Sequence, residues 1–512
     1  MNKLLQALAR FTSPAPRTNR RGRRAPPTRR GSRRWRPSLE TLESRAMLSA
    51  YTAATAADLI ADINAANKHG GTNTITLTAP TTSPYVLTAV DNTTNGANGL
   101  PQIVKKDNLT IIAGGDTIER STAAGTPAFR LFDVASGASL TLENVTVENG
   151  LAVGSGSSAD GGAVYNVGNL TLIGATLQNN LASGTHGTDG LTFNSGKNNV
   201  PTTINGQAGG NAAGGGIWSS GSVTLEGGTI LQNNEVFGGP GGAAGASLAT
   251  QGYIAGNGGA GGSGFGGGLY QAGGSVNVNG SALTDNEAGG GGGGGGFQWY
   301  FTGSWVNNGA SAGVGGTAAG GGLFTAGGTL TVSSFTVDGN QARGGGGGGY
   351  SNGYNGEPID ASANGGAAYG GGIGVTGGAA SLGTTELLSN AAMGGPGGTA
   401  DTSYINDAPG NGGDALGGGL DAAGGTLTLT NDTATGNEAL GGPPGIAGYP
   451  YYFQSTSGAA YGGGIEIASA ATVALDTSTV NNTTNNYIGT WSWSGIALGP
   501  VSNIDGTYTL LT

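Results

Sequence analysis

The chain has 512 residues, of which 109 are glycine, none is cysteine and only 10% are charged. That composition excludes a disulfide framework and thiolate chemistry, and it points to a repeat rather than a series of ordinary globular domains. Charge is divided between a net of +11 in residues 1–50 and a net of −21 in residues 51–512, so the body has no attraction for phosphate backbones and no nucleic-acid partner is expected for it.

The first 50 residues form a basic leader. Residues 17–36 hold ten arginines and the pair Pro26-Pro27, with no following apolar stretch of the roughly 7 to 15 residues that a secretory signal needs. Composition alone predicts a disordered basic tail. Its end reads Leu42-Glu43-Ser44-Arg45-Ala46-Met47-Leu48-Ser49-Ala50. This resembles the LEPR-XLL motif near the N-terminus of large surface or exported proteins of planctomycete bacteria. Ser44 stands where the motif has proline, and Met47 where it has its first closing leucine. The resemblance implies sorting to the outer membrane, cell surface or exterior, with removal near Ala50.

Residues 51–106 are expected to form an N-terminal cap. In Thr55 to Asn67, Leu59, Ile60, Ile63 and Ala66 fall on one helical stripe, with Thr55 and Asp58 as a capping-box start and Gly70-Gly71 as the stop. Thr72 to Thr78 and Tyr85 to Thr88 then change to the period of two that marks half-buried strands. No run reaches the roughly 18 apolar residues of a membrane-spanning helix, so no transmembrane segment is expected.

Residues 107–486 repeat one phrase. Gly161, Gly214, Gly266, Gly320, Gly370, Gly417 and Gly462 each open a unit with Gly-Gly-Gly or Gly-Gly-Ala and an apolar residue, and an alternating strand follows. In Thr329 to Val337, Leu330, Val332, Phe335 and Val337 share one face if the chain bends at Ser333-Ser334. Each unit closes on asparagine, at Asn180, Asn234, Asn286, Asn340, Asn390, Asn437 and Asn482. Such a unit cannot bury its apolar side alone, and stacking solves this. The predicted fold is therefore all-β: a right-handed parallel β-helix with a short N-terminal capping helix, long glycine-rich loops on one side, and cap strands over 487–512. Asparagine tolerates the left-handed backbone conformation, and stacked amides can form a hydrogen-bonded ladder, so the seven asparagines read as structural. Glycine follows no strict every-third pattern along the chain, which excludes collagen. Gly161-Gly162-Ala163-Val164-Tyr165 and Asn179-Asn180 resemble the repeats of polymorphic outer-membrane proteins, which are bacterial β-helix surface proteins. That likeness implies an adhesin-like scaffold.

The excursions that follow each asparagine leave from one corner, and their aromatic residues are the candidate binding groups: Phe297, Trp299, Tyr300, Phe301 and Trp305; Tyr350 and Tyr354; Tyr449, Tyr451, Tyr452 and Phe453. Such rings suit a polysaccharide or another cell-envelope component; alternatively they pack on one another and cover their own scaffold. The expected function is non-enzymatic, structural, adhesive or recognition, with no catalytic residue and no metal site assigned. The alternative is a polysaccharide-acting hydrolase or lyase on the same scaffold. A lyase needs a cation beside its site, and after Leu151 only Lys197 and Arg343 remain. A hydrolase needs paired carboxylates, for which Asp285 with Asp338 and Glu235 with Glu287 are candidates. No cofactor is expected beyond a faint calcium-repeat likeness in Asn411 to Gly417.

Overall fold

The computed structural model describes residues 49–154, 158–191, 193–194, 204–249, 252–297, 310–351, 362–400, 408–446, 455–492 and 495–511. Residues 1–48 of the leader lie outside them. Each repeat opens where a side chain could not: Gly161, Gly214, Gly266, Gly320, Gly370, Gly417 and Gly462 all have φ between 54° and 69°, and a Cβ on Gly266 would sit 2.4 Å from the Leu269 carbonyl oxygen. From this corner one coil runs through Leu269–Gln271, Ser275–Thr284 and Glu287–Gly289. Each strand pairs in parallel and in register with its equivalent one unit later, Leu323–Thr325, Thr329–Asp338 and Gln341–Arg343. Repetition builds a 20-stranded sheet and a nine-stranded sheet that enclose one core, with a further nine-stranded sheet alongside that faces a second core, a parallel β-helix.

Leu269, Val276, Val278 and Leu283 of that coil are at most 2% exposed, and Leu330, Val332, Phe335 and Val337 of the next are at most 4% exposed. The bend that lets both halves of the long strand face inward falls at Gly280 and Ser334, with φ of 61° and 66°. At the N-terminal end, helix α1 (Ala56–His69) starts where Thr55 accepts a hydrogen bond from the Asp58 amide and stops at Gly70, and it buries Leu59, Ile63 and Ala66. Strand Ser49–Ala53 pairs with Gly71–Leu77, which pairs with Asp107–Ile112.

The asparagine ladder runs along one corner. Asn180 Nδ2 donates to Asn234 Oδ1 at 2.9 Å, Asn234 to Asn286 at 3.0 Å, Asn286 to Asn340 at 2.9 Å, Asn340 to Asn390 at 3.0 Å and Asn390 to Asn437 at 2.9 Å. Each amide nitrogen also donates back to a strand carbonyl of the preceding coil, as Asn286 does to Leu231. Each Oδ1 also accepts the backbone N–H of the previous rung, as Asn340 does from Asn286. Two expectations are corrected. The rung after Asn437 is Asn486, while Asn482 ends the short helix α2 (Thr477–Asn482), which is inserted before the strand Thr483–Thr484 that pairs with Thr433–Thr435. The left-handed conformation belongs to the residue before each rung, Asn179, Asn233, Asp285, Gly339, Ser389, Gly436 and Asn485. That residue turns the corner, and the rung itself points inward.

The glycine-rich excursions are not irregular at their bases. Amides of Gly238, Gly241 and Ala244 donate to the carbonyls of Gly289, Gly292 and Gly295 one coil on, while Gly239, Gly242 and Gly245 donate to Gly210, Gln207 and Ile204 of the previous coil's returning segment. The third residue of each triplet, Pro240 or Ala243, faces solvent. Returning segments follow the same rule: Gly258, Gly261 and Gly264 bond forward to Ser311, Val314 and Thr317, and Gly259 and Gly262 bond to Gly242 and Gly239. Three residues per turn, no positive φ in these segments and no bonds within a segment define extended helices of the polyproline II type. They pack as a two-layer wing beside the β-helix. The chain as a whole has no every-third glycine pattern, but these excursions do, in the form Gly-Gly-X. The cause is steric: a Cβ on Gly209, Gly239 or Gly262 would lie 1.8 to 2.0 Å from a neighbouring carbonyl oxygen. At the wing's root a second core is almost pure alanine, including Ala182, Ala212, Ala288, Ala318, Ala342 and Ala368. Val236 is the one larger side chain buried there among the described residues.

Candidate functional site

Most of the candidate binding aromatics lie outside the described residues: Trp299, Tyr300, Phe301, Trp305, Tyr354, Tyr449, Tyr451, Tyr452 and Phe453. Phe297 and Tyr350 are placed by their backbones, in strands Gly296–Phe297 and Tyr350–Ser351. These pair in parallel where the wing's third and fourth outgoing segments end. Segments 298–309, 352–361, 401–407 and 447–454 each join an outgoing helix to its returning partner, one per coil. The wing therefore spaces their attachment points by one coil, roughly 4.8 Å.

A second aromatic set was not singled out in the sequence. The middle residues of the triplets after the opening glycines, Tyr165, Trp218, Tyr270 and Phe324, stand in register on one nine-stranded sheet. Tyr165 and Trp218 stack with centroids 4.5 Å apart and planes within 1°, and Tyr270 and Phe324 stack at 5.6 Å. The Arg130 guanidinium lies 5.1 Å from the Tyr165 ring centroid and closes that end. Each ring covers its neighbour's face, so the column presents edges, not faces, and cannot stack a sugar along its length. Its signal was an aromatic residue between a buried apolar position and a polar one, as in Val164-Tyr165-Asn166 and Ile217-Trp218-Ser219, a place that reads as solvent-facing on an isolated strand.

Beyond Phe324 the column passes Gly374 and becomes acidic. Asp421, Glu466 and Asp505 occupy successive coils in register. Asp421 is 2% exposed. Burial, then Glu466, pushes its carboxyl up to about 8; burial, then Asp505, pushes Glu466 up to about 7.

Of the paired carboxylates considered for hydrolysis, Glu235 and Glu287 are in register, with Arg343 Nε 3.2 Å from Glu287. Asp285 instead packs over Gly339, where a Cβ would meet its Oδ1 at 2.4 Å, and it is not aligned with Asp338, which pairs with Thr284. In the calcium-like stretch, Asn411 Oδ1 accepts the Thr456 amide and Asp414 Oδ1 the Ala459 amide. Those oxygens cap the outward N–H groups of the next wing segment. Among the described residues no group of three or more His, Cys, Asp or Glu is arranged to hold a metal ion, and no helix is long and apolar enough to cross a membrane. Against protein-family models, curated proteins and solved structures, the chain finds no match.

Proposed function

We propose that the chain is an exported, cell-surface rod with a structural, adhesive or recognition role, exercised through the aromatic segments at the rim of its wing. The observation that supports this most is the hydrogen bonding of the wing. Inner N–H groups of each outgoing and returning helix are bonded to neighbouring segments every third residue, a rigid mount that fixes where the Trp- and Tyr-bearing segments emerge. A scaffold used only to fill space would not need two layers of backbone-bonded helices to hold its connections. Export rests on the LEPR-XLL-like leader and on the likeness to polymorphic outer-membrane protein repeats. The contact chemistry follows from the residues: aromatic rings among glycine, serine and asparagine suit neutral polysaccharide, and the acidic body disfavours anionic polymers.

A glycan array tests this. The native chain is expected to retain neutral glycans, and the double variant Trp299→Ala with Trp305→Ala is expected to lose at least tenfold in apparent affinity. Release of soluble oligosaccharides by the native chain would overturn the non-enzymatic reading, and equal binding by both forms would remove the rim as its contact site.

A further inference from the structure

The C-terminal coil is held lightly. Ile504–Gly506 pairs only with Ile465–Ile467, and Thr509–Leu511 only with the end of Ala471–Asp476. Leu510 is left 51% exposed. Few residues and little burial place this coil at the low-stability end of the rod. The contact that would join it to the rest on the sheet carrying the aromatic column is instead a stack of three acids. Asp421, Glu466 and Asp505 lie one coil apart, in register, at the roughly 4.8 Å spacing of parallel strands. Asp421 is almost fully enclosed, and Glu466 Oε2 is buried without a partner. The ionisable groups around them give no relief. Tyr369 on the wing side is held above its ordinary value by burial, then by Asp421 and Asp414, and Tyr461 is on the adjoining wing strand. From residue 344 to the last residue the sequence has no lysine, arginine or histidine.

We infer that this carboxyl column is a pH-sensitive latch on the last coil, closed while Asp421 and Glu466 are protonated and released when they ionise together. Protonated, the two can stack and share hydrogen bonds in the enclosed space between sheet and wing. Ionised, three carboxylates repel at one-coil spacing with no cation in reach. Because both folded-state values are raised by burial and like charge, the stabilisation is complete below about pH 4 and is lost as pH rises through about 7 to 8. Release would uncover the edges of Ile465–Ile467 and Ala471–Asp476, which makes the end of the rod a strand-pairing site only on the alkaline side.

Amide hydrogen exchange on the full chain, corrected for intrinsic rates, tests the latch. Between pH 6 and pH 9 the protection of Ile504–Gly506 and Thr509–Leu511 is expected to fall at least tenfold while that of Thr329–Asp338 stays within twofold. The double variant Asp421→Asn with Glu466→Gln keeps the shape of the protonated pair and is expected to protect the last coil equally at both pH values. Overturning results would be a last coil whose protection does not change with pH, one that changes in parallel with the central coils, or a double variant that retains the native pH dependence.

Discussion

Gly291 and Gly292 sit side by side in a run of eight glycines, Gly289 to Gly296, and alanine is expected to act oppositely at the two. At Gly291 a Cβ would lie 2.1 Å from the Gly239 carbonyl oxygen and 2.5 Å from its carbon. Reaching ordinary contact means moving neighbouring helices apart by about 1.3 Å, which breaks the 2.8 Å bond from the Gly291 amide to Gly262. Overpacking of this kind costs about 1–3 kcal/mol, and each lost backbone bond adds about 1 kcal/mol, so Gly291→Ala should destabilise by about 2–4 kcal/mol. At Gly292 the nearest atom to a Cβ is 3.8 Å away and φ is not positive. There alanine only restricts the unfolded chain, and Gly292→Ala should stabilise by about 0.4–1 kcal/mol. Urea denaturation of both variants, with amide exchange across 289–296 to localise the effect, reads the difference. Two shifts of the same sign and size would refute the two-layer polyproline II wing, because only that lattice makes neighbouring glycines inequivalent.

Asn340→Ala removes the acceptor for the Asn286 amide and side chain and three bonds of its own, and should cost about 2–4 kcal/mol in denaturation. Asn486→Ala should be similarly costly and Asn482→Ala close to neutral, a comparison that separates the ladder from its sequence look-alike. Trp218→Ala removes two ring contacts and should destabilise by about 1–3 kcal/mol at roughly 0.5–1.5 kcal/mol per aromatic pair, with loss of near-ultraviolet dichroism. Burial raises the carboxyls of Asp107, Asp133, Asp160, Asp421, Asp432 and Glu466. Each contributes stability that is present below about pH 4 and lost as pH rises through its folded value, so the urea midpoint should be higher at pH 5 than at pH 9.

The β-helix was legible because stacking forces identical demands on every coil: an opening glycine at positive φ, alternating apolar residues, and a buried amide. Asn482 misled because it has the right residue type at nearly the right distance. Only pairing shows that α2 takes up the intervening residues and passes the rung to Asn486. The aromatic column was hidden for a different reason. Tyr165 and Trp218 occupy strand positions that face solvent in an isolated coil, and their faces are covered only when the neighbouring coils stack. The internal order of the wing's loops was not legible from glycine composition. The phase of those glycines carries the information: Gly238-Gly239-Pro240 and Gly241-Gly242-Ala243 place a side chain wherever a neighbour is missing.

The asparagine ladder gives the rod a direction, since every rung donates toward the C-terminal end and accepts from the N-terminal side. A unit copied and inserted whole would bring one donor and one acceptor in the right orientation, and its strands would find partners above and below without any other residue changing. The same unit would also bring one outgoing and one returning helix to the wing. Opening glycines 45 to 54 residues apart show that the number of residues per unit is free to vary, whereas the rise per coil is not. Such a chain can be lengthened or shortened by whole units as a ruler is extended, with rim segments exchanged independently of the graduation that carries them.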